Sequence, residues 1–455
     1  MSTRSADVVI VGGGTAGVAA AIAAARNGAK TLIVEKNGFL GGTATAGNVF
    51  HGFFDCRGRQ VVKGIAQELV QRMVDEGGSQ GHLCGSRWGP DAPADFVYCQ
   101  TPYDLETFKY VALKVVEEAG VEMLLHSFFA GSYVENDRLR RIQIVNKSGL
   151  SEIEAKVFVD CSGDADVAAA AGVPYEFGRS DGLAQNVTLL FTVAGVDFDR
   201  VVEYSKENLR IRTWGEWHSR GMRGRKLGEE QESWVSLSGK INVEPDPNSG
   251  KFLSCGFRSL RPGELRLNVT RTVGIDATSA EDLTRAEVEE RKNVFEIVKK
   301  LRQFVPGFEK AYLHSTAVEV GIRESRRILG EYQLTAEDVL EGRSFEDGIA
   351  KGAYTMDIHD PKGGHVVHTF IKDGGSYDIP YRCLVPLKVD GLLVAGRCIS
   401  ATHEALGSTR QMPTCVALGE AAGTAAALSA AAKVEPRRLD TRLLRETLLR
   451  QGAYV

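Results

Sequence analysis

Three glycines at the spacing G-x-G-x-x-G, Gly12, Gly14 and Gly17, stand between the apolar run Asp7-Val8-Val9-Ile10-Val11 and an alanine-rich stretch. Glycines so placed do the chemistry of holding an anion. The first permits a tight turn, the second lets the backbone approach a pyrophosphate because no Cβ intervenes, and the third lets a helix pack closely on a strand. A helix that begins there turns unpaired N–H groups and the positive end of its dipole toward the phosphates. A second apolar run, Thr31-Leu32-Ile33-Val34, ends at Glu35. An acid about 20 residues past the second glycine suits ribose hydroxyls. The glycine spacing alone is weak, but with both runs, the helix and the acid it reads as a β-α-β unit that holds a dinucleotide.

Two further constellations carry groups that move protons or bind acids. In Met356-Asp357-Ile358-His359-Asp360, a neighbouring carboxylate would raise the pKa of His359 and orient one ring nitrogen, and a capped turn histidine reads equally well. In Gly321-Ile322-Arg323-Glu324-Ser325-Arg326-Arg327, helical spacing places Arg323 on one face with Arg326 and Arg327. That face either grips a carboxylate bidentately or joins an ion-pair network through Glu324 and Glu331. His51 reads as structural, and His365 and His368 read as surface residues around a turn.

The elements that must position these groups point to one kind of dinucleotide. After Glu35-Lys36 comes a loop of small residues, Asn37 to Asn48, where a nicotinamide enzyme usually has its next helix. Gly41-Gly42-Thr43 there would let backbone amides reach the flavin side of a pyrophosphate; an ordinary glycine-rich surface loop is the plain alternative. Val157-Phe158-Val159-Asp160 is a buried-looking strand that ends in the polar turn Cys161 to Asp166, and Leu392-Leu393-Val394-Ala395-Gly396-Arg397 is another. A helix from Pro413 to Ala432 follows, with proline suited to its first turn. Its positive end could face the flavin ring.

These segments resemble the FAD-dependent oxidoreductase family related to fumarate reductase flavoproteins, within the glutathione-reductase-like FAD fold. The matching stretches are 8–47, 161–179, 320–342, 354–359 and 379–428, in order over nearly the whole chain. The resemblance implies an α/β protein: a Rossmann-like FAD-binding domain of the glutathione-reductase type with an inserted α+β substrate domain. The FAD lobe would take 1–173 and 386–455, and the substrate or cap domain 174–385. FAD, bound noncovalently, would be held by Gly12, Gly14, Thr15, Ala16, Gly17, Glu35 and Lys36. Gly41, Gly42, Thr43, Ala44, Thr45, Ser162, Gly163, Asp166, Gly396, Arg397, Met412 and Thr414 would complete its site. The same resemblance assigns proton transfer to His403 and anion clamping to Arg410, in the loop Ala401 to Arg410, with His359 or Arg323 completing the pocket. Covalent histidyl attachment at Gly41-Gly42 is disfavoured, since those positions are glycine. A late strand ending Gly396-Arg397, where aromatic hydroxylases have Gly-Asp, counts against a monooxygenase.

The activity so implied is hydride transfer between flavin N5 and a small acid- or carbonyl-bearing substrate, by a dehydrogenase or reductase. An oxidase using dioxygen and an electron-relay subunit are the alternatives. With no second dinucleotide unit, an external electron donor or acceptor is needed.

Bulk properties exclude several classes. Net charge −4 without a basic tract argues against nucleic acid. The first strand begins at Asp7, leaving no room for a signal peptide, and Glu420 interrupts the one long apolar helix, so no membrane partner is expected. Eight cysteines without a C-x-x-C pair exclude zinc and iron–sulfur sites and read as reduced core thiols of a cytoplasmic protein. A homo-oligomer stays open. Helices are expected at 15–28, 62–76, 104–119, 279–303 and 413–430. Strands near 121–126, 129–135 and 139–145 should form a small crossover sheet, with others at 186–195 and 264–272. The stretch 204–250 reads as a lid or an oligomer arm.

Overall fold

The architecture comes from a computed structural model, which describes residues 3–455 except 48–49, 87–91, 94, 209–211, 214–216, 221–229, 232–234, 243–251 and 364–365. Its centre is a Rossmann-like sheet of seven strands. Glu122–Leu124, Thr31–Val34, Thr3–Val11, Gly149–Asp160, Arg138–Asn146 and Ser127–Glu135 follow in that order, and Leu392–Val394 also pairs with Gly149–Asp160. The pairs Val11↔Val34, Val11↔Asp160 and Val394↔Asp160 bring four parallel strands to a common carboxyl edge. Gly12, Glu35, Cys161 and Ala395 are the next residues on those strands, so the sheet's register brings four distant loops to one place. Ligands bind at such edges in open α/β sheets.

The expected crossover strands join this sheet and form no separate one. Gly149–Asp160 is long enough to pair antiparallel with Arg138–Asn146 along its first half and parallel with Thr3–Val11 from Glu152 onward, and Glu122–Leu124 joins at the other side through Thr31–Val34. Only the apolar end of Gly149–Asp160 was conspicuous in the sequence.

Helix Thr15–Arg26 packs against the long helix Met412–Ala432 through small residues. A Cβ on Gly419 would stand 2.0 Å from the Ala16 carbonyl oxygen, and one on Gly423 would stand 2.1 Å from that of Ala20. Two helix backbones therefore touch, a contact that alanine and glycine alone permit. Among the described residues, Met412–Ala432 is the helix long and apolar enough to cross a membrane, and most of it is buried inside the molecule. Each buried Leu, Ile or Val in this core contributes roughly 1.5–3 kcal/mol.

Glu420 lies inside that helix, nearly inaccessible, and accepts a hydrogen bond from the Ile65 N–H at 3.0 Å. It thereby caps helix Ile65–Asp75, which has no side-chain cap of its own. Burial pushes its carboxyl up to about 7, against the Ile65 N–H and Arg26. A folded-state pKa raised above the ordinary 4.5 contributes stability that is present below about pH 4.5 and lost as pH rises through about 7. Glu420→Gln keeps the acceptor and removes the titration. Its stability relative to wild type should therefore rise by about 1–3 kcal/mol between pH 5 and pH 8, read by thermal unfolding at both pH values. A constant difference would refute the assignment.

A second apolar cluster, including Val187, Phe191, Leu265, Val294, Leu301 and Phe308, is separate from the first. It lies between helix Ala280–Phe304 and a six-stranded antiparallel sheet ordered Arg212–Thr213, Val235–Asn242, Phe252–Arg258, Leu265–Leu267, Phe191–Ala194, Tyr312–Thr316. Ser279 caps the helix by accepting from the Asp282 N–H. Much of 204–250 lies outside the described residues. Among those described, Trp217–Arg220 pairs with His82–Ser86 in a third sheet that also holds Val97–Thr101 and Phe50–His51.

The reading of all cysteines as free thiols is corrected at one place. Cys84 and Cys99 face each other on adjacent antiparallel strands, with Cα atoms 4.1 Å apart, and form a disulfide. Pairing register brings them together across 15 residues, which no spacing motif revealed.

Candidate functional site

A cavity of about 440 Å³ opens at the carboxyl edge of the parallel sheet. Gly12, Gly14, Thr15, Ala16, Glu35, Lys36, Gly42, Thr43, Thr45, Ser162, Gly163, Gly396, Arg397 and Met412 line it, as do Arg323 and Arg410. Gly17, Gly41, Ala44, Asp166 and Thr414, expected at the cofactor, do not.

The displaced residues support the wall. A Cβ on Gly17 would stand 1.8 Å from the Gly12 carbonyl oxygen, so this glycine sets how closely helix and strand pack. Gly41 donates to the Gly13 carbonyl at 2.7 Å at φ +120°, stitching the second glycine loop to the first. Asp166 pairs with Arg326, and burial pushes its carboxyl up to about 6. Its neighbour Asp164, which the sequence reading passed over, lines the cavity and holds Arg397 at 2.9 Å. The doubled acid of Gly163-Asp164-Ala165-Asp166 was the available signal.

The cavity fits a flavin dinucleotide. A Cβ on Gly14 would meet nothing within 4 Å, so space is left where a pyrophosphate would run. Helix Thr15–Arg26 begins there with no side-chain cap, leaving first-turn amides for an anion. Glu35 accepts from the Gly13 N–H at 2.6 Å and from the Asn37 N–H at 2.7 Å, which fixes the carboxylate at the cavity wall. Burial raises its pKa against those two donors. Helix Met412–Ala432 also starts at the cavity without a side-chain cap, and the buried Thr414 hydroxyl has no partner.

The expected catalytic residues divide. Arg410 reaches the cavity, with Nη2 donating to the Asp357 carbonyl at 2.9 Å and carboxylate at 3.1 Å, while its buried Nε has no partner. Arg323 is buried and donates to Asn186 O at 2.8 Å and Thr188 Oγ1 at 2.7 Å. The helical spacing expected for Arg323 and Arg327 is not found: the segment is irregular and ends in strand Arg326–Ile328. An extended segment rises about 3.3 Å per residue, which separates the two, and Arg327 goes into a buried pair with Glu324.

His403 does not line the cavity. It starts helix His403–Thr409, and its Nδ1 lies 2.8 Å from Glu324 Oε1. Glu324 also accepts from the Gln185 N–H at 3.1 Å. The histidine thus completes a buried network in place of a proton-transfer site at the cavity surface. Nothing in its own loop, where Glu404 is the adjacent acid, indicated Glu324 as its partner.

His359 is buried and, like His403, is not among the residues that line the cavity; it lies behind Arg410, which pairs with the Asp357 that faces it. The His359 backbone N–H donates to Gln185 Oε1 at 3.1 Å. Its Nε2 approaches Asp357 Oδ1 to 3.4 Å, and its Nδ1 has no partner. Burial and the Arg323 guanidinium lower its pKa to about 3, with Asp357 opposing. Burial would raise the Asp357 carboxyl, but His359, Arg410 and His368 together hold it well below the usual carboxylate range. His51 is buried in strand Phe50–His51, where its Nδ1 pairs with the Tyr98 hydroxyl at 2.5 Å. His368 is exposed, and His365 lies outside the described residues. Among the described residues no cluster could hold a metal.

The model of the family described as FAD dependent oxidoreductase matches residues 7–448. A digeranylgeranylglycerophospholipid reductase 2 of Methanothermobacter thermautotrophicus is 29% identical over 195 residues, 42% of this chain and 48% of that protein. A mitochondrial dihydrolipoyl dehydrogenase of Caenorhabditis elegans is 57% identical over 42 residues, 9% of this chain and 8% of that one. The matches thus span about half of the first relative's length and a small part of the second's. A geranylgeranyl bacteriochlorophyll reductase-like protein of Thermoplasma acidophilum superposes with TM-score 0.49 at 14% identity, covering 100% of this chain and 85% of its own.

Proposed function

The chain belongs to the FAD dependent oxidoreductase family, and from that premise we propose that it moves a hydride between flavin N5 and a small organic substrate bearing an acid or carbonyl. The chain would divide as a glutathione-reductase-type FAD lobe, 1–173 with 386–455, around a substrate domain, 174–385. The separate apolar cluster drawn from residues 187–320 supports a distinct substrate-side unit, while Leu334, Ile349, Tyr377 and Leu384 pack in one cluster with the FAD lobe.

When bound, FAD supplies the hydride donor or acceptor. The residues do the rest. Gly12, Gly14 and the first turn of Thr15–Arg26 hold the pyrophosphate, Glu35 the ribose, and Arg397 adds positive charge beside the glycine turn. Arg410 and Arg323 bind and orient the substrate's anionic group. His359, fixed by Asp357, accepts or returns a proton. His403 acts through Glu324, whose carboxylate positions Gln185 and Arg327.

One observation carries this reading: Arg410 stands in the cavity wall, next to Met412 at the start of the long helix, with a buried N–H that no protein group satisfies. A buried donor without a partner costs about 1–3 kcal/mol, and an anionic ligand would recover that. The test is an anaerobic flavin spectrum of the holoprotein with hydroxy acids, amines, cyclic ketones and enoates added in turn. Bleaching by one class, or reoxidation of dithionite-reduced protein by an enoate, is expected. Admitting air then separates an oxidase from a dehydrogenase. No response in either direction would overturn the reading.

A further inference from the structure

The unpaired atoms beside Arg410 form one contiguous set. Arg323 donates to Asn186. The adjacent Gln185 accepts from the His359 N–H, His359 faces Asp357, and Asp357 pairs with Arg410. Along this path four buried atoms have no hydrogen-bond partner: Arg410 Nε, Gln185 Nε2, His359 Nδ1 and Asp357 Oδ1, the last 3.4 Å from His359 Nε2. Two are donors. Asp357 Oδ1 is an acceptor turned to His359 Nε2, and His359 Nδ1 is an acceptor because that carboxylate holds the ring proton on Nε2.

A ligand that completes this set must accept beside the guanidinium groups and donate to His359. A lone carboxylate does the first and not the second. Charge narrows the choice further. Arg323 and Arg410 bring two positive charges and Asp357 one negative, while Glu324 is offset by Arg327. These groups around His359 thus carry a net charge near +1, which favours an anion there over a zwitterion whose ammonium would lie among guanidinium groups.

We propose that the substrate is a 2-hydroxy acid, its carboxylate paired with Arg410 and Arg323 and its hydroxyl donating to His359 Nδ1. This rests on the hydride-transfer reading above and specifies its substrate. In the oxidising direction the carbinol C–H and O–H bonds break and a C=O bond forms, giving the 2-oxo acid. The electron pair leaves with the hydride to the flavin, and the hydroxyl proton goes to His359 Nδ1. The groups facing His359 are Asp357, His368, Arg323 and Arg410. A bound carboxylate offsets the two cations that depress its basicity, so the base gains strength only when substrate is in place.

The experiment uses oxidised holoprotein under anaerobic conditions and three matched sets of probes. These are lactate and mandelate in both enantiomers, their deoxy analogues propionate and phenylacetate, and their amino analogues alanine and phenylglycine. At least one hydroxy acid should bleach the flavin, whereas its deoxy analogue shifts the spectrum without bleaching. In His359→Asn, bleaching should slow by at least ~100-fold, while the deoxy analogue's Kd changes less than about threefold. That unchanged Kd shows that the variant is folded and still holds the acid. Bleaching by the amino acids and not the hydroxy acids would overturn the assignment, as would equal rates in wild type and His359→Asn. If acids bind but the hydroxyl makes no difference, only the hydroxy-acid assignment falls. If no carboxylate perturbs the flavin at all, the arginine clamp falls with it.

Discussion

Gly17→Ala is expected to give protein that retains almost no FAD and unfolds at lower temperature, whereas Gly14→Ala loses FAD with little change in the stability of the apoprotein. The two glycines stand three residues apart, but their surroundings differ. The new Cβ at position 17 would be 1.8 Å from Gly12 O and 2.9 Å from Gly12 C. Both are backbone atoms, so no side chain can turn aside. Restoring a contact of roughly 3.5 Å moves helix and strand apart by about 1.5 Å, at a cost of about 1–3 kcal/mol or more. That shift also displaces the helix start from the tight turn at Gly12, so affinity for FAD should fall by ~100-fold or more. At position 14 the backbone is extended, φ −70°, and the new methyl meets no protein atom. It occupies only the space left for a pyrophosphate. Flavin content after purification and thermal unfolding of the apoproteins check both results. An FAD-replete Gly14→Ala protein would contradict the placement of the phosphates.

Arg410→Met should weaken binding of acidic ligands strongly while leaving the flavin bound. Truncating one member of a buried charge pair costs about 2–5 kcal/mol, here a loss of ~30-fold or more in ligand affinity. The substitution also removes a cation that holds Asp357 down and His359 down, so both pKa values should rise. Where activity requires neutral His359, the acidic limb of its pH profile should therefore move to higher pH. A merely structural arginine would lower stability without shifting that limb. Steady-state kinetics against pH, with flavin content as control, separates the two cases.

Residues whose role lies within their own β-α-β unit were legible in the sequence. Gly12, Gly14, Gly17 and Glu35 act within 24 residues of one another, and their spacing is sufficient to define their geometry. Helices with clear apolar periodicity and a cap, such as Ala280–Phe304 behind Ser279, were also within reach. What the sequence did not show were contacts set by the register of distant segments. His403 binds Glu324 across 79 residues, and Cys84 meets Cys99 because two strands align. Gly419 and Gly423 looked like ordinary small residues of an apolar helix until the Ala16 and Ala20 carbonyls were placed against them. Arg323 and Arg327 were misjudged for a related reason. Their spacing suits a helix, but pairing of Arg326–Ile328 with Tyr175–Phe177 makes the segment extended and sends the two guanidinium groups apart.

The central claim is that flavin and an anionic substrate share the cavity walled by Arg410 and Arg323. Its most direct measurement is a titration of oxidised holoprotein with benzoate and, separately, with benzamide, followed by the flavin difference spectrum. The two probes have nearly the same shape and differ in charge. Benzoate should perturb the flavin spectrum with saturation and benzamide should not. Equal perturbation by both, or none by benzoate, would contradict the account.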